Sequence, residues 1–212
     1  MKSNITMPVA SINRHRMKTD GVGVTSLVAS FGCPLTCKFC INKRTWDPTF
    51  LPKCKKMAPQ QLYDYLKIDD LYFVATGGGV TFGGGESLLH ADFIKEFREV
   101  CGDKWRITAE TSLNVPEESL RKVIPVIDDY IVDIKDMNPE IYEAYTGRNN
   151  ERVLSNLRIL LEEKGPESIH IRVPKIPEHN TKEDLENSVH ILKEMGFTNI
   201  EVFPYIIKED SL

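Results

Sequence analysis

Three thiols fall within eight residues of this chain, Cys33, Cys37 and Cys40, in the stretch Phe31-Gly-Cys-Pro-Leu-Thr-Cys-Lys-Phe-Cys40. Thiolates on one short loop can ligate three irons of a cubane cluster. Such clusters normally take four protein thiolates, so the fourth iron would stay open to another ligand. The competing reading is zinc. Structural zinc takes four ligands, commonly in two pairs, whereas this loop offers a trio with Cys54 as the nearest further thiol. The spacing favours iron and sulfur. Cys101 follows an apolar helical pattern and reads as a small buried hydrophobe. Cys54, among Lys53, Lys55 and Lys56, reads as an incidental exposed thiol, with a lysine-lowered pKa as the alternative.

A second stretch open to chemistry is Gly77-Gly-Gly-Val-Thr-Phe-Gly-Gly-Gly-Glu86, with six glycines in nine residues. It lacks the Lys-Ser/Thr pair of a P-loop. Its glycines let a ligand lie against backbone amides and carbonyls, and Glu86 can receive a ligand ammonium; the alternative is a flexible turn with a solvated glutamate. Further polar candidates sit at the ends of expected strands: Glu110 with Thr111, Asp133 with Lys135, Arg172 and Tyr205. Parallel α/β folds hold ligands at that end. The competing reading of Asp133 and Lys135 is a solvated surface pair.

Hydrophobic periodicity supplies the elements that must position these groups. Strands are expected at 24–30, 71–75, 105–109, 130–134, 168–173 and 199–203. Helices are expected at 58–67, 91–101, from Pro116 onward, at 149–163, and from a Thr181/Asp184 capping box to Gly196. Residues 1–16 read as a polar lead-in. Six strands alternating with helices imply a parallel sheet with helices outside. Within the strands, Trp105, Ile107 and Ala109 oppose Arg106, Thr108 and Glu110; Tyr130, Val132 and Ile134 oppose Ile131, Asp133 and Lys135; Ile169, Ile171 and Val173 oppose His170 and Arg172. The last strand repeats the pattern, with Ile200 and Val202 against Asn199, Glu201, Phe203 and Tyr205. A doubly wound sheet has apolar strands on both faces, and a closed eight-stranded barrel packs its lumen with branched apolar side chains. An antiparallel sheet with one wet face is disfavoured by the intervening helices. The expectation is therefore a partial, open (β/α)6 TIM-like barrel whose polar concave face lines a cavity for a large polar ligand.

At 212 residues, with 41% hydrophobic and 27% charged residues, the chain is expected to form one domain over 1–212. A net charge of -4 gives no field for a phosphate backbone, so nucleic acid is not an expected partner. The start has no apolar signal region, and no stretch reaches the roughly 20 apolar residues of a membrane span. A cytoplasmic location without a membrane is expected, and in that reducing compartment clustered cysteines bind metal or do redox chemistry.

With these residues in place, the chain resembles the radical S-adenosylmethionine (SAM) enzymes. The resemblance rests on Cys33-x3-Cys37-x2-Cys40 with Phe39 before the last cysteine, and on Gly84-Gly85-Glu86. It is similar in particular to the pyruvate formate-lyase activating enzyme group of glycyl-radical activases. That likeness is carried by Asp20-Gly-Val-Gly23, residues 42–47, Gly77-Gly-Gly-Val-Thr81, Asp133-Ile-Lys135, Tyr145-Thr-Gly147 with Asn156, Arg172-Val-Pro174 and Phe203-Pro-Tyr205. The resemblance implies a [4Fe-4S] cluster on Cys33, Cys37 and Cys40, chelated by the amino and carboxylate groups of SAM. It places Phe39 by the adenine, Gly84, Gly85 and Glu86 by the methionine ammonium, and Arg172 among the cofactor contacts. Glu110, Thr111 and Asp133 match a monovalent-cation site beside the SAM carboxylate, with Glu110 longer than the usual aspartate, and Lys135 matches a lysine near the substrate cavity. Ile41 and Ile206 stand where histidines are common, and the chain stops at Leu212 without the usual tail. The implied substrate is a glycyl-radical enzyme, or another protein, peptide or small molecule, and the implied donor is reduced flavodoxin or ferredoxin. Anaerobically reconstituted protein is expected to hold about four irons per chain. Cys37→Ala is expected to lose the cluster and SAM cleavage with it. Iron and sulfide analysis checks this, and a colourless zinc-loaded protein would exclude the cluster.

Overall fold

A computed structural model describes residues 4–17 and 19–205. In chain order the elements are β1 (Met7–Met17), β2 (Val24–Ser30), β3 (Lys55–Met57), α1 (Pro59–Leu66), α2 (Asp70–Thr76), β4 (Gly79–Gly84), α3 (Ala91–Cys101), β5 (Arg106–Thr111), α4 (Glu117–Val123), β6 (Asp129–Asp133), α5 (Pro139–Thr146), α6 (Glu151–Lys164), β7 (Ile169–Lys175), α7 (Lys182–Met195) and β8 (Ile200–Pro204). One sheet takes all the strands in the order β3-β1-β2-β4-β5-β6-β7-β8. The six strands β2 and β4 to β8 run parallel, joined by helical crossovers, while β1 and β3 pair antiparallel at one edge. The (β/α)6 half-barrel stands, extended by two strands.

Period-2 alternation decides which face of the sheet is dry. Ile107, Ala109, Tyr130, Val132, Ile169, Ile171 and Val173 are buried in one hydrophobic cluster under the helices. On the other face, register places Leu27 opposite Thr81, Thr81 opposite Thr108, Glu110 opposite Ile131, and Asp133 opposite Arg172. That row forms the concave side. Helix ends follow local chemistry: Thr181 and Asp184 exchange hydrogen bonds as a capping box at α7, which stops at Gly196 in a left-handed conformation.

Two expectations are corrected. Residues 71–75 are not a strand; they lie in α2, a short helix that buries Phe73 and ends at Gly77 with φ +67°. The strand assigned there is β4, inside the glycine run itself. Residues 7–17 are not lead-in but β1, whose outer half is exposed because its partner β3 covers only Met7, Pro8 and Val9. Ile206 and the residues to Leu212 lie outside the described residues.

The loop between β5 and α4 has no regular partner for its carbonyls, and Asn156 supplies one from α6. Its buried side-chain amide donates to Leu113 O and Val115 O, both at 2.8 Å. Asn156→Ala leaves two buried carbonyls without a donor and is expected to cost about 2–4 kcal/mol, read as a lower denaturant midpoint with an unchanged slope.

Candidate functional site

The cysteine loop leaves the end of β2 and is fixed from four directions. His90 Nε2 donates to Phe31 O at 2.7 Å, and Gly32 N donates to Thr45 O at 2.6 Å. From the end of α5, the carbonyls of Thr146 and Tyr145 accept Thr36 N and Lys38 N at 3.0 and 3.2 Å. Arg148 Nε donates to Pro34 O at 3.2 Å, and the Tyr205 hydroxyl, just past β8, donates to Phe39 O at 2.8 Å. The backbone around the three thiols is thus tied to elements more than 100 residues away.

Cys37 is buried with Leu35, Tyr145 and Ile176, and Cys33, Phe39 and Cys40 pack against that small cluster. Burial pushes the Cys33 thiol up to about 12, helped by the Glu86 carboxylate, and the Cys37 thiol up to about 11, against the pull of Lys135. A bare thiolate is therefore poorly served here, and a metal cation in place of the proton supplies the missing charge. Among the described residues no three His, Cys, Asp or Glu side chains converge as they would around a single metal ion. Three thiols on one pinned loop are the kind of donor set that holds an iron–sulfur cluster.

Beside this loop, β4 ends in Gly84-Gly85-Glu86. Gly84 has φ +83°, and Asn42 Nδ2 donates to its carbonyl at 3.2 Å. Gly85 passes so near the cysteine loop that a Cβ would lie 2.3 Å from Gly32 O, so no side chain fits. Glu86 is 1% exposed. Its carboxylate accepts Leu88 N at 3.2 Å, Thr111 Oγ at 2.6 Å, and Ser112 N and Oγ at 2.9 and 2.7 Å. Burial raises its pKa, and these four donors oppose the rise. The side chain is thereby committed to the β5 end, and what it leaves facing the loop is the backbone of residues 84–86.

The concave face collects charge. Arg172 donates to Glu110 Oε1 at 3.2 Å and also to Thr19 O. Burial lifts the Glu110 carboxyl to about 7, with the negative Asp133 adding to the rise and Arg172 opposing it. Lys135 is 13% exposed and reaches Asp133 Oδ2 at 3.3 Å. Burial works against its charge, but Asp133 and Cys37 outweigh this and its pKa is raised. Asp133 Oδ1 is buried with no hydrogen-bond partner. The segment Asp20-Gly-Val-Gly23 lies against this face: Thr81 Oγ donates to Asp20 O, Arg16 pairs with the Asp20 carboxylate, and a Cβ on Gly21 would stand 2.9 Å from Thr108 Oγ.

The structure therefore brings Cys33, Cys37, Cys40, Phe39, Gly84, Gly85 and Glu86 to one end of the sheet, with Asp133 and Lys135 beside Cys37. Thr111 does not join Glu110 and Asp133: it turns its hydroxyl to Glu86, while Glu110, near enough to Asp133 to feel its charge, meets Arg172. Sequence reading passed over His90, Ser112 and Arg148; His90 alone carried a signal, a histidine four residues past Glu86.

Residues 27–192 match the radical SAM superfamily model, and the chain belongs to that family. Among its relatives, the (2S)-3-sulfopropanediol dehydratase activating enzyme of Klebsiella oxytoca is 37% identical over 167 residues, covering 76% of this chain and 51% of the relative. The pyruvate formate-lyase-activating enzyme of Listeria monocytogenes is 30% identical over 195 residues, 88% of this chain and 77% of that one. In structure, Streptococcus suis SuiB bound to its precursor peptide SuiA superposes with a TM-score of 0.65 at 15% identity, over 86% of this chain and 41% of SuiB. The chain spans about half the length of the first of these relatives.

Glu110 yields a pH test. A carboxyl raised to about 7 from 4.5 binds its proton more tightly when folded, so its stabilisation is complete below about pH 4.5 and is lost as pH rises to about 7. Relative to wild type, Glu110→Gln is expected to gain roughly 3 kcal/mol between pH 4.5 and 8. Denaturant midpoints of both proteins across that range check it, and parallel profiles would contradict the assignment.

Proposed function

We propose that this chain is a radical SAM activase that takes a hydrogen atom from a glycine Cα of a partner glycyl-radical enzyme. The observation that carries the reading is the pinned three-thiol loop held against Gly84-Gly85-Glu86 at the mouth of a polar half-barrel, in a chain whose relatives are named as activating enzymes. When bound, a [4Fe-4S] cluster on Cys33, Cys37 and Cys40 supplies the electron that cleaves SAM to methionine and a 5′-deoxyadenosyl radical. The chain's own residues bind, orient and shield. Gly84 and Gly85 offer backbone to the methionine ammonium, with the buried charge of Glu86 behind them. Phe39, packed against Tyr145 and His179 with ring centroids 6.3 and 5.8 Å away, offers a ring face to the adenine. Lys135, with its charge held by Asp133, faces the substrate side of the cavity, and Arg172 completes the cofactor contacts.

For the monovalent cation implied by resemblance, the reading we favour is that Arg172 and Lys135 place positive charge beside Glu110 and Asp133 in its stead. The donor we propose is reduced flavodoxin or ferredoxin, and the location the cytoplasm; among the described residues no helix is long and apolar enough to cross a membrane.

The test is electron paramagnetic resonance. A candidate glycyl-radical enzyme incubated with the reduced, reconstituted protein and SAM is expected to develop a glycine-centred doublet, with one 5′-deoxyadenosine formed per radical. 5′-Deoxyadenosine without any partner radical reassigns the chain to a peptide or small-molecule substrate. Absence of SAM cleavage under dithionite overturns both.

A further inference from the structure

The electron that such a site needs must arrive from outside, and charge is distributed unevenly around the site. Residues 33–56 contain six basic side chains, Lys38, Lys43, Arg44, Lys53, Lys55 and Lys56, against one acid, Asp47: a formal +5 inside a chain of net charge -4. The fold turns that run into one side of a collar. Arg44 precedes Thr45, whose carbonyl accepts Gly32 N, and Lys56 stands opposite Pro8, whose carbonyl accepts Phe31 N at 2.9 Å. On the other side of the loop, Arg148 donates to Pro34 O, and Arg152 lines the same shallow pocket as Pro34 and Arg148. Glu151 lines that pocket too, and Asp47 is occupied in capping Thr49.

Lys38, Arg44, Arg148 and Arg152 are all exposed, and among the described residues none has a carboxylate within ion-pair distance. Many surface cations elsewhere are paired, such as Lys67 with Asp64, Arg121 with Glu117, and Lys122 with Asp92. Within the same run an apolar side chain breaks the surface: Ile41, directly after Cys40, is 51% exposed. An apolar contact with a charged rim is the anatomy of a transient protein interface. Unpaired charges on that rim act chiefly by steering encounter and orientation.

We propose that this collar docks an acidic one-electron carrier protein, which meets the loop at Ile41 and so places its redox centre near Cys33, Cys37 and Cys40. This rests on the function proposed above, since only a redox site on that loop calls for such a partner. A nucleic acid is the competing occupant of a cationic surface. Ile41 offers a protein partner an apolar contact beside these cations, and a chain of net charge -4 gives a phosphate backbone no wider field, which favours a globular acidic partner.

The test uses the reconstituted holoprotein and an acidic flavodoxin in the oxidised form, with affinity read by biolayer interferometry at about 50 and 200 mM salt. Wild type is expected to bind and to weaken about tenfold or more at the higher salt. The variant Arg44→Glu/Lys56→Glu/Arg152→Glu is expected to lose about tenfold or more in affinity at low salt, with Arg44→Gln/Lys56→Gln/Arg152→Gln intermediate. SAM cleavage driven by dithionite, which needs no docking, stays unchanged in both variants. Equal affinity for flavodoxin in wild type and both variants overturns the proposal, as does tighter binding of a single-stranded oligonucleotide than of flavodoxin. Loss of dithionite-driven cleavage in wild type strikes the proposed function instead, and the affinity series still reads the surface. If the Glu variant misfolds, as shown by its circular dichroism, the Gln variant and the salt dependence decide.

Discussion

A carboxylate withdrawn almost wholly from water is tolerable only when its lone pairs are met, and Glu86 meets that condition with four donors from the start of α3's preceding turn and the end of β5. Much of the site depends on this. The carboxylate holds the ends of β4 and β5 together, which fixes the path of Gly84 and Gly85. That path lets Glu86 N reach Gly32 O at 2.7 Å and Gly85 N reach Ser30 O at 3.1 Å, so the cysteine loop starts from a defined place. A charged group that looks like a ligand contact in one dimension is, in three, first a structural tie.

The concave face shows a related economy of charge. Acidic groups at Asp20, Glu110 and Asp133 are paired with Arg16, Arg172 and Lys135 in turn. Arg172 does this from β7 while also donating to Thr19 O, so one guanidinium neutralises a wall residue and fastens the loop that lies across the sheet. Glu110 fits beside Gly83 only because that position has no side chain; a Cβ there would stand 2.6 Å from Glu110 Oε2. The extra methylene that separates Glu110 from an aspartate is thus accommodated by the neighbouring strand.

The barrel was legible because its strands alternate cleanly and its helices carry their stop signals. Alternate residues of β5, β6 and β7, from Ile107 to Ala109, Tyr130 to Val132 and Ile169 to Val173, are apolar and buried, although Thr108 and Ile131 on the other face are buried too, and period-2 patterning reads such faces directly. Strand β4 was missed because glycine is a poor strand former, yet glycine is what the packing demands there: a Cβ on Gly79 would fall 2.1 Å from Arg106 O. Helix α2 was misread for the opposite reason. Leu71, Tyr72, Phe73 and Val74 look like a strand, but only Phe73 is buried, and Gly77 ends the segment as a helix. Helix α5 went unassigned although Asn138, Pro139 and Gly147 mark its start and stop. The three thiols, the two glycines and Glu86 were visible in the sequence. The carbonyls of Tyr145 and Thr146 that hold the loop were not, because a backbone acceptor leaves no trace in residue identity.

The hydroxyl of Tyr205 on Phe39 O joins the last described residue to the middle of the cysteine loop. It stands just past β8, among the described residues an edge strand with one neighbour, where Val202 is half exposed. Edge strands open at lower free energy than the strands inside a sheet. Each fraying event there also releases one of the several ties on the loop that carries Cys33, Cys37 and Cys40. The order of the cysteine loop is therefore coupled, through this one hydroxyl, to the opening of β8.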